Sequence, residues 1–271
     1  MRRTFKDFDI SVTMKRDDFL RTKGVGQRNL LLGRAVVEFA SDLAHLDEIQ
    51  REFVGGASRP LIRGDWEGSP ADYSDPSQLV IQGQQVMQDW ELPLMKVLAE
   101  NAAANGGDLL EVGFGMGISA TAVQERGVRS HTLIEINHDV AEQFEQWRRG
   151  WPDRDIRLVF GDWRDVFGEL GEFDAILYDV YPTNEQDFVR TLGPRAVVLA
   201  AEFFEHAAAH LRPGGVLSYY TNEIDSIGRA HQRELLKHFT SFTVRLVTGL
   251  QPPADCTYWW AGTMAAVTAY R

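Results

Sequence analysis

Leu109-Leu-Glu-Val-Gly113-Phe-Gly115-Met-Gly117 is an apolar strand-like run that passes straight into glycine at every second position. Glycines at a strand end let the backbone pass close to a ligand and present amides to it from a helix start. The spacing is G-x-G-x-G, not the G-x-G-x-x-G of dinucleotide-binding folds. Outward from this stretch, strand and helix patterns alternate. Ser119 to Arg126 reads as a helix, Thr132–Ile136 as a strand, Val140 to Arg149 as a helix, and Ile156–Phe160 and Phe173–Tyr178 as two more strands. Phe203 to Leu211 is helical, Val216–Tyr220 is a fifth strand, Ile227 to Phe239 is helical, and Val244–Leu250 and Met264–Tyr270 close the chain as strands. Such alternation predicts right-handed crossovers and an α/β fold, with a seven-stranded, mostly parallel sheet and helices on both faces. The closing pair predicts an antiparallel addition at one side.

Two acids extend the pattern. The second strand ends in Glu135, 22 residues after Gly113, where a carboxylate can accept both hydroxyls of a ribose. The third strand is followed by Asp162-Trp163, which can hold an adenine by its amino group and its face. Glycine loop, acid, and acid with aromatic together resemble a Rossmann-like class I S-adenosylmethionine-dependent methyltransferase. A nicotinamide dehydrogenase, or a sheet whose glycines serve only turns, is the competing reading. Glu111 inside the first strand agrees with the resemblance, and could equally be a buried carboxylate paired locally.

At the far end of the sheet the fourth strand closes with Tyr178-Asp-Val-Tyr-Pro182. Ligands of open parallel sheets lie beyond the carboxyl ends of the strands, so Asp179 is expected at the reacting group. Five stretches narrow the resemblance: Met87-Gln-Asp-Trp-Glu-Leu-Pro-Leu-Met95, Glu111 to Gly117, Tyr178 to Pro182, Leu211-Arg-Pro-Gly-Gly-Val-Leu217 and Pro252-Pro-Ala-Asp-Cys256. Together, over about residues 84–271, they resemble guanidinoacetate N-methyltransferase and the related domain of the fungal arginine N5-methyltransferases.

The resemblance implies S-adenosylmethionine as cofactor and places Met87 and Met95 beside it. Gly113, Phe114, Gly115, Met116, Gly117 and Ile118 become the methionine-side loop, Glu135, Ile136 and Asn137 the ribose site, and Asp162-Trp163 the adenine site. Glu91 and Asp179 correspond to a carboxylate pair that grips a guanidinium, with Asp179 also beside the cofactor. Tyr181, Asn222 and Glu223 are expected to touch the substrate. These residue types suit the chemistry, since two carboxylates can bind a planar guanidinium fork and receive its proton. Glu223 would repel a substrate carboxylate, which favours free arginine over guanidinoacetate.

Composition bounds the rest. The 271 residues carry 28 basic and 39 acidic side chains, a net charge of −11, which disfavours nucleic acid and anionic lipid as partners. A single cysteine excludes an intrachain disulfide framework. No apolar run is long enough to span a membrane, and the start lacks the apolar core of a secretion signal, so a cytoplasmic protein is expected. His206 and His210 lie four apart on a helix, but no spacing demands a metal. Residues 1–83 are expected to form an N-terminal basic arm, helix and loop, and residues 84–271 the methyltransferase domain.

Residues 1–34 hold nine basic residues and four acids, a balance of +5 on an otherwise acidic chain. They form either a solvated tail or an arm that folds over an anionic ligand through Lys15, Arg16, Arg21, Lys23 and Arg28. Gln27 to Glu52 carries an amphipathic stripe (Leu32, Val36, Phe39, Leu43, Leu46) that suits a lid or a homodimer interface. Residues 54–79 read as a loop, and Gln84 to Ala104 as a helix that Pro93 either kinks or starts anew. The arm supports an alternative function, C-methylation of a small isoprenoid diphosphate such as isopentenyl diphosphate. Trp90, Tyr178, Tyr181, Tyr219 and Tyr220 would then wall a carbocation. A non-catalytic cofactor-binding module is a third reading.

Overall fold

The computed structural model describes residues 11–15, 60–192, 199–221, 223 and 227–271. The Gln27 to Glu52 helix, and with it the lid or dimer interface, lies outside the described residues.

The parallel core follows the expected order. It contains β5 (Asp108–Val112), β6 (Ser130–Glu135), β7 (Ile156–Phe160), β8 (Phe173–Tyr178) and β9 (Leu211–Thr221). Two antiparallel strands, β10 (Ser241–Thr248) and β11 (Thr263–Tyr270), complete the expected seven. An eighth, β1 (Ser11–Lys15), comes from the basic N-terminal segment and pairs antiparallel with β10. The spatial order is β1-β10-β11-β9-β8-β5-β6-β7. Strand order reverses between the parallel neighbours β5 and β8, and ligands of such sheets sit at that switch point.

Helices cover both faces. On one lie α1 (Leu92–Ala103), α2 (Ile118–Arg126) and α3 (His138–Arg148), which bury Leu94, Leu98, Val123 and Phe144 against the sheet. On the other lie α4 (Trp163–Val166), α6 (Phe204–His210) and α7 (Arg229–His238), around Trp163, Phe203, Phe204 and Leu235. A further helix, α5 (Glu185–Leu192), follows β8. Alternation along β9 sends Tyr219 and Tyr220 to opposite faces. Tyr219 is sealed in the second core, whereas Tyr220 packs at the edge of the first.

Sequence reading errs before α1. Gln84 to Gln88 is not helical: it forms β4 (Gln84–Gln88), paired antiparallel with β3 (Gln78–Ile81), and β2 (Ala71–Asp72) completes a small second sheet. Gln82 and Gly83 both have positive φ, 52° and 74°, and Ile81 pairs directly with Gln84. A two-residue hairpin loop with two left-handed residues matches the right-handed strand twist, and that turn overrides the helical composition of the next five residues. Pro93 then sits in the first turn of α1, where its missing N–H costs nothing. This hairpin joins the two segments separated at residues 83 and 84.

Within the core, Glu111 on β5 is fully buried. The Ser119 hydroxyl donates to its Oε1, while Oε2 lies 2.9 Å from His131 Nε2. His131 Nδ1 meets Gln124 Nε2 at 3.0 Å, so the group ties β5, β6 and α2 together. Removing one partner of a buried polar group leaves the other unsatisfied in a medium that solvates it poorly. His131→Leu is therefore expected to lower unfolding free energy by about 1–3 kcal/mol, read as a lower urea midpoint with an unchanged slope.

Candidate active site

The ends of β5 and β8 meet so closely that they demand glycine. Asp179 N donates to Val112 O at 3.0 Å, and a Cβ on Gly113 would stand 2.0 Å from Asp179 O. Gly113 also has φ +93°, a region open to glycine and costly for other residues. One cavity opens over this junction. Met87, Glu91, Gly113, Gly115, Glu135, Ile136, Asp162, Trp163, Asp179 and Tyr181 line it. Trp66, Tyr220, Tyr258 and Trp259 add an aromatic wall.

At the glycine end, Glu135 accepts from the amides of Ile136 and Asn137 at 2.8 Å each through Oε1, and from Phe114 N at 3.0 Å through Oε2. Burial raises its pKa, and those amides pull the other way. Met87 lies over the loop, its sulfur accepting from Met116 N at 3.3 Å, and the Tyr73 hydroxyl donates to Gly115 O at 3.0 Å. Asp162 caps α4 by accepting from Arg164 N. Arg164 lies 4.8 Å over the Trp163 ring and is paired with Asp162, Asp187 and Glu202.

At the other end two carboxylates share the cavity. Glu91 is 5% exposed. Its Oε1 accepts from Tyr258 OH at 2.6 Å and from Gln88 N at 2.9 Å. Burial pushes its pKa up to about 7, against those two donors. The carboxylate of Asp179 receives no hydrogen bond among the described residues. Burial, then the charges of Glu91 and Glu111, push its pKa well above the usual range. Trp66 of the segment before β2 stacks on Tyr181 with centroids 5.6 Å apart, and so closes one side of the cavity.

Several expected site residues do not face it. Met95 is fully buried in the core beneath α1, because one helical turn carries it from the cavity to the sheet. The Phe114 ring packs edge-on against Phe144 and Trp147, so its contribution is its amide. Met116, Gly117 and Ile118 do not line the cavity. Asn137 instead anchors the strap over the site: Nδ2 donates to Trp66 O and Ser69 O at 2.8 Å, and Oδ1 caps α3.

Glu223 turns away as well. Its carboxylate accepts from the Gly228 amide and lies 2.7 Å from His231 Nδ1, whose Nε2 meets Tyr219 OH at 2.6 Å. This relay ties the end of β9 to α7, and Glu223 is thus absent from the cavity lining. Asn222 lies outside the described residues. Trp90 stacks on Tyr258 without lining the cavity. The sequence reading missed Trp66, Tyr258 and Trp259. Tyr258 follows the Pro252 to Cys256 motif by two residues, and that adjacency was the available signal.

Residues 60–270 match the family described as guanidinoacetate N-methyltransferase. Among curated proteins, the chain is 31% identical over 161 residues to protein arginine N-methyltransferase 2 of Yarrowia lipolytica, covering 55% of this chain and 31% of that protein. It is 30% identical over 146 residues to the Saccharomyces cerevisiae protein of the same name, covering 50% and 32%. The chain thus spans about a third of the length of these relatives. Among solved structures, spermidine synthase from Thermotoga maritima superposes with a TM-score of 0.53 at 21% identity, over 71% of this chain and 65% of that one, a likeness of fold.

The junction of β5 and β8 yields a test. Gly113→Ala places a methyl group against Asp179 O and forces a positive φ on alanine, a backbone cost of about 1–2 kcal/mol before any clash. We expect a lower melting temperature together with at least tenfold weaker binding of S-adenosylhomocysteine by calorimetry.

Proposed function

The chain belongs to the guanidinoacetate N-methyltransferase family of S-adenosylmethionine-dependent methyltransferases, and on that premise we propose that it methylates a guanidino nitrogen of a small molecule, arginine or a related guanidine. The observation that carries this reading is the presence of Glu91 and Asp179 on one cavity whose remaining wall at that end is aromatic. Arg164, the cation lining the cavity among the described residues, is already paired with three carboxylates. A free carboxylate pair attracts a cation and repels a diphosphate, which favours the guanidine over the isoprenoid alternative.

The residues present fit the cofactor. Gly113 and Gly115 keep side chains out of a cradle that a Cβ would fill, since one on Gly115 would stand 2.9 Å from Met87 Sδ. Glu135 would take the ribose hydroxyls, Asp162 the adenine amino group, and Met87 the sulfonium end. When bound, S-adenosylmethionine supplies an electrophilic methyl group.

A free guanidinium has a pKa of roughly 12.5–13.8 and is a poor nucleophile while its electrons are delocalised. Asp179 would accept N–H groups through an otherwise unengaged carboxylate and localise a lone pair on one nitrogen. Glu91 would hold a second nitrogen, and Tyr220 and Tyr181 would wall the planar group. As the nitrogen gains its methyl, it must lose a proton, and Asp179 is the acceptor. Its raised pKa suits it to that role.

Methyl transfer should therefore be detected with arginine, agmatine, guanidinoacetate or an arginine-containing peptide, and not with isopentenyl diphosphate. Transfer to the diphosphate with every guanidine inert would overturn this reading. Asp179→Asn is expected to lower kcat by about 10²–10⁴-fold.

The site also carries a pH dependence. Below about 7 the empty site holds a proton on Glu91. A guanidinium favours the ionised carboxylate, so binding expels that proton. Acceptor affinity should rise from pH 6 to pH 8, and Glu91→Gln should reduce that rise while weakening binding throughout.

A further inference from the structure

Tyr258 reaches Glu91 across 167 positions of sequence. Gln85 on β4 makes that meeting reproducible. Its Oε1 accepts from Thr257 N at 2.7 Å and from Thr257 Oγ1 at 2.9 Å, and its Nε2 donates to Asp255 O at 3.2 Å. The loop after Pro252-Pro253 is thereby stapled to the strand that leads into Glu91. The Tyr258 ring then stacks on Trp90, with centroids 5.8 Å apart and planes 29° from parallel. Burial and the charge of Glu91 drive the phenol pKa far upward, so Tyr258 remains a donor.

A carboxylate oxygen offers two lone-pair sites. Oε1 of Glu91 accepts from both Tyr258 OH and Gln88 N, which uses both. Oε2 has no partner among the described residues. We propose that Tyr258 is a positioning residue that, with the Gln88 amide, saturates Oε1 of Glu91 and leaves Oε2 as the single atom offered to the methyl acceptor. The consequence is a division of labour that rests on the guanidine reading. Glu91 makes one directed hydrogen bond, while Asp179, with both oxygens unengaged, takes the forked contact and the reaction proton. It also fixes which oxygen of Glu91 carries the proton when that group is protonated. When an acceptor enters, the O–H bond at Oε2 breaks, the proton leaves to solvent, and an acceptor N–H takes its place.

Tyr258→Phe keeps the ring on Trp90 and removes the hydroxyl alone. Titration of the Glu91 carboxyl by ¹³C NMR in the ligand-free protein, assigned by its loss in Glu91→Gln, should show the midpoint rising by about one pH unit. The acidic limb of the kcat/KM profile for a methylated guanidine should move by the same amount. KM at pH 7 should rise about fivefold, as the ionised fraction of Glu91 falls with a one-unit shift from about 7, and kcat on the alkaline plateau should stay unchanged. In the Glu91→Gln background Tyr258→Phe should add nothing.

An unmoved Glu91 titration, or an equal loss of activity in that background, overturns the proposal. If the titration moves while the wild-type protein methylates no guanidine, the role of Tyr258 at Glu91 stands and the substrate reading falls.

Discussion

Two carboxylates facing one cavity, Glu91 buried and Asp179 half-buried, with no protein cation held between them among the described residues, are the constraint around which the site is built. Desolvation opposes the ionisation of both, and the charge of Glu91 makes Asp179 harder still to ionise. Left alone, such a pair binds protons. A cation seated between them would convert that cost into attraction. The surrounding structure serves this arrangement. Glycine at residue 113 lets β8 approach β5 and deliver Asp179, and the Gln85 staple brings the Tyr258 loop onto Glu91.

The two carboxylates are held very differently. Glu91 is capped by two donors on one oxygen, while Asp179 takes none among the described residues. That asymmetry suits one group to orientation and the other to proton transfer. Glu111 is more deeply buried than either, with Ser119 donating to one of its oxygens and His131 close to the other. Its role is to bind β5, β6 and α2 into one unit beneath the glycine loop.

Much of the fold was legible in the sequence. Apolar alternation marked all seven expected strands, and glycine after β5 marked the ligand end, because both signals are local. The failures were of two kinds. Gln84 to Gln88 carries helix-forming residues, and only the left-handed Gln82-Gly83 turn makes it a strand. Met95 and Glu223 were placed by likeness of position. The structure puts the first inside the core and the second against His231, neither of them lining the cavity.

The sequence by itself determined an α/β sheet with a glycine-lined cofactor end, and the residues from which a carboxylate pair could be drawn. Those properties depend on neighbours along the chain: periodicity, turn chemistry, and the absence of a side chain at residue 113. Only the tertiary structure decided which acids share the cavity, which oxygen of Glu91 is left open, and that Tyr258 closes the other. The physical reason is that hydrogen-bond capacity is settled by atoms within about 3 Å, and those atoms come from segments as far apart in sequence as Glu91 and Tyr258.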